Sequence, residues 1–186
     1  MLQDFLLPEK EGEPYIIRTL FWVFVVLYSL QFFSFSINAE VMNSFLHGPN
    51  LIFHEAGHVI FMPFGDFIGI LGGTLGQCLM PIIVGSVFFF KEANPFGASI
   101  ALWWLGQNLT DVALYISDAG ARSLPLIGGM SEEAHDWGNL LSMMDIIEYD
   151  FTLGIITHYI GMIFMILGLM WGGYILLVRM RERNVS

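Results

Sequence analysis

His54, Glu55 and His58 stand in the run Leu51-Ile52-Phe53-His54-Glu55-Ala56-Gly57-His58-Val59-Ile60-Phe61-Met62. On a helix, residues four apart share a face, so His54 and His58 can offer two imidazole nitrogens to one metal ion. Glu55 would lie beside that ion without binding it, where it can take a proton from a bound water. This is the HExxH pattern of zinc-dependent hydrolases. The word is short enough to arise by chance, but its setting argues against that. Ionisable groups inside a long apolar segment are costly and usually serve a function.

The elements that must carry these residues follow from composition. Hydrophobic residues make up 55% of the 186-residue chain and charged residues only 13%, against about 25% charged in soluble domains. Mean hydropathy is +0.66, and several apolar runs approach the ~20 residues a helix needs to cross a bilayer. The expected fold class is an all-α integral membrane protein, a bundle of about five transmembrane helices with the metal site inside the membrane. A single transmembrane domain would fill residues 1–186. Its spans are expected at 15–37, 51–67, 69–90, 98–118 and 151–178, with a polar tail over 1–14 and a polar connection over 119–150.

Charge sits mainly outside those spans. The net charge is −10, and Lys and Arg together number seven, which excludes a basic nucleic-acid-binding face. Cys78 is the single cysteine, so an intrachain disulfide and a thiolate metal cluster are both excluded. Its apolar neighbours Leu79 and Met80 point to a packed, inert thiol.

Beyond the HExxH run, residues 69–77 hold two small-xxx-small pairs, Gly69/Gly73 and Gly72/Gly76. Such pairs let helix backbones approach closely; a glycine-rich backbone beside a metal could instead lie along an extended substrate strand. Gln77 could bond a substrate carbonyl or simply another helix. Pro81 and Gly85 should interrupt the third span.

The fourth span carries Asn108, Asp111, Tyr115, Asp118 and Arg122 at spacings of three, four, three and four, which form one polar stripe. That stripe must face the bundle interior or a water-filled cavity. Asp118 and Arg122 are placed to pair. Asp111 has no basic residue at i±3 or i±4, so it needs a cation from elsewhere, and the metal would supply one.

In the polar connection, His135-Asp136-Trp137 stands out. His135 could cap a helix over 137–147, or fold back as a metal ligand or oxyanion-stabilising group. His47, next to Gly48-Pro49, reads as a surface or capping histidine, and His158 in the last span as an interhelical bond. Gly154, Gly161, Gly168 and Gly172 should form a packing face. Arg179, Arg181 and Arg183 near the C-terminus favour a cytoplasmic end.

An HExxH inside a membrane span, then a glycine-rich segment, then a helix with a buried Asp, resembles the site-2-protease-like intramembrane metalloproteases, peptidase family M50. The match covers roughly residues 51–118. The resemblance implies a third zinc ligand from an aspartate in an Asn/Pro/Asp-Gly motif. Here Asn108-Leu109-Thr110-Asp111-Val112 has the Asn and the Asp but neither the proline nor the glycine. Asp111 is therefore the first choice and His135 the second.

The implied function is that of a zinc-dependent intramembrane endopeptidase, with one Zn²⁺ per chain. It would cut a locally unwound transmembrane segment, because a helix hides its own carbonyls. Glu55 would be the general base, and Asn108, Gln77, Tyr115 or His135 would contact the substrate or the oxyanion. Two other readings compete: a metal-dependent membrane hydrolase acting on a lipid amide or ester, and a non-catalytic membrane scaffold. Expected partners are a membrane-protein substrate and the lipid bilayer, with a homo-oligomer left open. The expected location is a multi-pass position in a plasma or inner membrane.

Overall fold

The computed structural model describes residues 15–33, 37, 42–124 and 134–185, and among these every regular element is helical. Six helices follow one another: α1 (Tyr15–Ser29), α2 (His47–Phe61), α3 (Asp66–Ser86), α4 (Pro95–Ser117), α5 (Asp136–Met143) and α6 (Asp150–Val185). A 3₁₀ turn, Met62–Phe64, follows α2, and a π turn, Val87–Lys91, extends α3. The tail 1–14 and residues 125–133 of the expected polar connection lie outside the described residues.

Local sequence explains where these helices start. Asn94 caps α4 by accepting a hydrogen bond from the Gly97 N–H at 2.9 Å, and Pro95 supplies a first residue with no N–H to satisfy. Gly65, at φ +95°, makes the reversal between the 3₁₀ turn and α3, a backbone region that side chains disfavour. Asp66 then opens α3, where a carboxylate suits the positive end of the helix dipole. Pro81 and Gly85 do not interrupt the third element. Pro81 is buried inside α3, and the loss of one N–H is absorbed without ending a long apolar helix.

Two helical stretches, Asp66–Lys91 and Ile147–Glu182, are long and apolar enough to cross a membrane, and α1 is a shorter apolar helix. With 15 residues, α2 is about 22 Å long, less than a ~30 Å hydrocarbon core. Large apolar side chains face outward on four helices, among them Leu20, Phe24, Ile52, Val59, Ile83, Phe90, Ile163 and Leu167. Such an apolar exterior is unlike that of a water-soluble globule.

The centre of the bundle is α4, most of whose residues are buried. Its broadest contact is with α6. Added Cβ atoms at Gly106 or Gly161 would meet the opposing backbone at 2.5 and 2.7 Å, and at Gly168 the Ser99 carbonyl at 2.7 Å. The expected glycine face on the last helix is therefore a close helix–helix contact. Val25, Phe32, Trp103, Leu114 and Met165 pack into one apolar cluster that joins α1, α4 and α6. The Trp103 indole N–H donates to Ser29 Oγ at 2.7 Å, and the Trp22 indole N–H to the Leu169 carbonyl at 3.0 Å.

Against this core lies a second close pair, α2 on α3. A Cβ at Gly57 would stand 2.0 Å from the Gly72 carbonyl oxygen, and one at Gly76 would stand 2.4 Å from that of Phe53. The glycines of residues 69–77 are thus occupied by α2 itself. They serve helix packing, and the alternative of a substrate strand lying along them has no room.

Candidate metal centre

The second half of α2 and the middle of α3 bring polar side chains inward, and α5 closes over them. His54 Nε2 lies 2.8 Å from Asp136 Oδ2, and His58 Nε2 lies 3.2 Å from the same oxygen. The two rings stand nearly edge to face, with centroids 4.9 Å apart, as i,i+4 neighbours on one helix face should. The three ligand atoms fall within 4.8 Å of one another, so His54, His58 and Asp136 could hold a metal ion.

The other ring nitrogens fix the tautomers. His58 Nδ1 donates to the Gly69 carbonyl at 2.8 Å. His54 Nδ1 donates to Gln77 Oε1 at 2.8 Å. With Nδ1 protonated, a neutral imidazole presents a lone pair at Nε2. Two lone pairs and a carboxylate oxygen then converge on one point, an arrangement that repels itself unless a cation or a proton sits between them.

The donor chemistry fits zinc, whose sites use exactly these N and O ligands at ~2.0–2.2 Å. Ligands at that distance on a tetrahedron stand about 3.3 Å apart, close to the observed 2.8 and 3.2 Å. Glycine makes the room. A Cβ at Gly73 would lie 2.4 Å from His54 Nε2 and 2.6 Å from His58 Nε2, so any side chain there would enter the site.

Asp136 is the residue that sequence reasoning passed over as a ligand. It begins α5, and three contacts set its position. Its N–H donates to Tyr115 Oη at 3.0 Å, tying it to α4. The indole N–H of Trp137 donates to Thr74 Oγ1 at 3.1 Å, tying the same turn to α3. Leu141 packs with Val112, Ile116 and Ala119 beneath. Without a metal a proton takes the place of the cation between these atoms: burial alone would push the Asp136 carboxyl up, but the hydrogen bonds it then accepts from the histidine pair outweigh burial and hold the group below the ordinary carboxylate value.

The two residues expected as third ligand lie elsewhere. Asp111 Oδ1 accepts from His47 Nδ1 at 2.8 Å, and Asp111 Oδ2 accepts from Asn50 Nδ2 at 3.4 Å. The cation that Asp111 requires is a histidine on α2, so His47 is not the surface or capping residue its Gly-Pro neighbours implied. His135 caps α5: its Nδ1 accepts from the Gly138 N–H at 3.0 Å, and its Nε2 faces Asp118 Oδ2 at 3.3 Å. Burial lowers the His135 pKa despite the nearby Asp118, which keeps the ring neutral and able to cap. Both its nitrogens are turned away from the histidine pair.

The remaining expected residues divide. Glu55, Gln77 and Tyr115 line one cavity of about 390 Å³ together with His54, His58 and Asp136, a volume typical of small-molecule sites. Gln77 is committed to His54 and is an interhelical bond. Asn108 is fully buried and its Nδ2 donates to the Trp104 carbonyl at 3.2 Å; it is not among the residues lining the cavity. Asp118 accepts from Ser123 Oγ and the Leu124 N–H, just past the end of α4 at Ser117. Arg122 donates to Asn139 Oδ1 at 3.4 Å. His158 is buried in α6 and is not among the residues lining the cavity.

A signal for Asp136 did exist in the sequence. An aspartate right after a helix-capping histidine, within a segment otherwise lacking apolar periodicity, is a carboxylate whose place is fixed by a helix start. Comparison with protein-family models, with curated proteins and with solved structures gives no match.

Proposed function

We propose that the protein is a zinc-dependent membrane hydrolase and, within that class, an intramembrane endopeptidase that cuts peptide bonds in or near transmembrane segments. The observation that carries this reading is the convergence of His54 Nε2, His58 Nε2 and the Asp136 carboxylate on a cavity that Glu55 shares. The apolar exterior of α1, α2, α3 and α6 supports a multi-pass membrane location, with the Arg-rich end of α6 on the cytoplasmic side. On this reading the chain binds one zinc ion and meets its substrate within the lipid bilayer.

His54, His58 and Asp136 would hold the ion, which would supply the Lewis acidity that makes water a nucleophile near neutral pH. Glu55, exposed to the cavity and outside the ligand set, would be the general base that takes up the proton of the attacking water and passes it to the leaving amine. Tyr115, whose Oη already accepts the Asp136 N–H, keeps its hydroxyl proton for another acceptor and is placed to meet a substrate oxygen. His54 and His58 keep their tautomers through Gln77 and Gly69, so their Nε2 atoms stay directed at the site.

The test is a cleavage assay with purified protein in nanodiscs, wild type beside Glu55→Gln, on a panel of single-span peptides and on lipid extracts. Glu55→Gln should retain zinc and lose about 100- to 10,000-fold in turnover, the range of general acid–base catalysis. Turnover of lipid but not peptide would keep the hydrolase and replace the substrate. Absence of turnover with zinc bound would leave a metal-binding scaffold.

A further inference from the structure

The same cavity has a second built polar group at its other end. His47, His54 and His58 lie on one face of α2, spaced by seven and four residues, and all three line the cavity with Leu51 and Glu55. Seven residues of helix separate His47 from His54 by about 10.5 Å along the axis. His47 Nδ1 is held by Asp111 at 2.8 Å. Asp111 in turn takes the Asn50 amide, and Asn50 is fixed by Gln107 at 2.8 Å and by the Trp104 indole at 2.9 Å. Asn50 and Gln107 are completely buried. A chain of buried groups that orients one half-buried ring at a cavity wall is more than helix packing requires. With Nδ1 committed to Asp111, Nε2 is the atom His47 offers to whatever enters.

We propose that His47 is a substrate-positioning residue whose Nε2–H donates to a backbone carbonyl of an extended peptide, about three residues from the bond that is cut. The distance sets the number: extended chain advances about 3.3 Å per residue, so three residues cover the separation along α2. The Asp111 hydrogen bond outweighs burial and raises the His47 pKa, which favours the ring form that donates from Nε2. This inference rests on the peptidase reading for the word substrate but not for the binding event.

Peptide binding to zinc-loaded Glu55→Gln protein in nanodiscs separates the two. Dissociation constants are measured for a single-span peptide and for versions cut back to one or two residues on either side of the scissile bond, with and without His47→Gln. His47→Gln should weaken the long peptide about tenfold, the equivalent of one charge-assisted hydrogen bond, leave the shortest peptides unchanged, and keep zinc content. Asp111→Asn should weaken the long peptide by a smaller factor in the same direction. Equal weakening of long and short peptides, no weakening, or loss of zinc in His47→Gln would overturn the proposal. Failure of every peptide to bind would overturn it too. Peptide binding with the expected His47 dependence, beside a wild-type protein that cleaves nothing, would remove the peptidase reading and leave the binding site.

Discussion

Two histidine–aspartate groups share one cavity, and they are built on opposite plans. At His54, His58 and Asp136, each ring gives its Nδ1 proton to a neutral oxygen and turns its Nε2 toward one carboxylate oxygen. At His47 and Asp111, the ring turns its Nδ1 proton toward the carboxylate itself. The first group brings three ligand atoms to one point and needs a cation or a proton between them. The second is complete as a hydrogen-bonded ion pair. What separates a ligand set from a structural pair is therefore which nitrogen faces the carboxylate, and that is decided by the oxygen available on the far side of the ring.

The largest effect that tests this contrast is on metal content. Asp136→Ala should abolish stoichiometric zinc and with it all turnover, whereas Asp111→Ala should keep about one zinc per chain, because its partner His47 binds no metal. Elemental analysis of detergent-purified protein reads both. Zinc lost from Asp111→Ala and retained in Asp136→Ala would reverse the assignment of the two groups.

The same contrast shows what could be read from the sequence. His54, Glu55 and His58 were legible because their geometry is internal to one helix, and i,i+4 spacing alone brings the rings together. The apolar helices and the glycine contacts were legible for a similar reason, since hydropathy and small-residue spacing are local. The third ligand was not. Asp136 is 78 residues from His58 and arrives by the docking of α5 through Tyr115 and Thr74, contacts between helices that no spacing records. Asp111 attracted attention as a buried carboxylate without a basic neighbour on its own helix, but its partner His47 is 64 residues away on α2. Charge balance inside one helix says that a partner must exist; which partner is a property of the packed bundle. Pro81 misled in the opposite sense, because a local breaker lost to a long apolar helix.

A smaller effect sharpens the tautomer argument. Gln77→Leu removes the oxygen that takes the His54 Nδ1 proton while leaving all three ligands in place. Loss of such a supporting bond typically costs 10- to 100-fold in metal affinity, so zinc should still bind but be removed by weaker chelators. Competition with a chelator series measures this. Unchanged affinity would mean that His54 holds its ring orientation without Gln77, and that burial between α2 and α3 does the orienting.

The smallest effect concerns the other pair and depends on pH. His47 has a pKa raised by the Asp111 hydrogen bond, against the opposing pull of burial. A histidine with a raised folded-state pKa stabilises the fold fully below its unfolded value of about 6.5, and that contribution is lost as pH rises through the folded-state value. The metal ligands titrate in wild type and variant alike, so they cancel from a comparison at equal metal loading. The melting temperature of metal-free wild type should exceed that of metal-free Asp111→Asn by most at about pH 6, and the gap should narrow steadily toward about pH 9. Because the His47 ring is partly exposed, solvent screening limits the gap to a few degrees. A gap that stays constant with pH would mean that Asp111 stabilises through its Asn50 contact alone. One that widens would mean that the pair is favoured by loss of the His47 proton, the reverse of an ion pair.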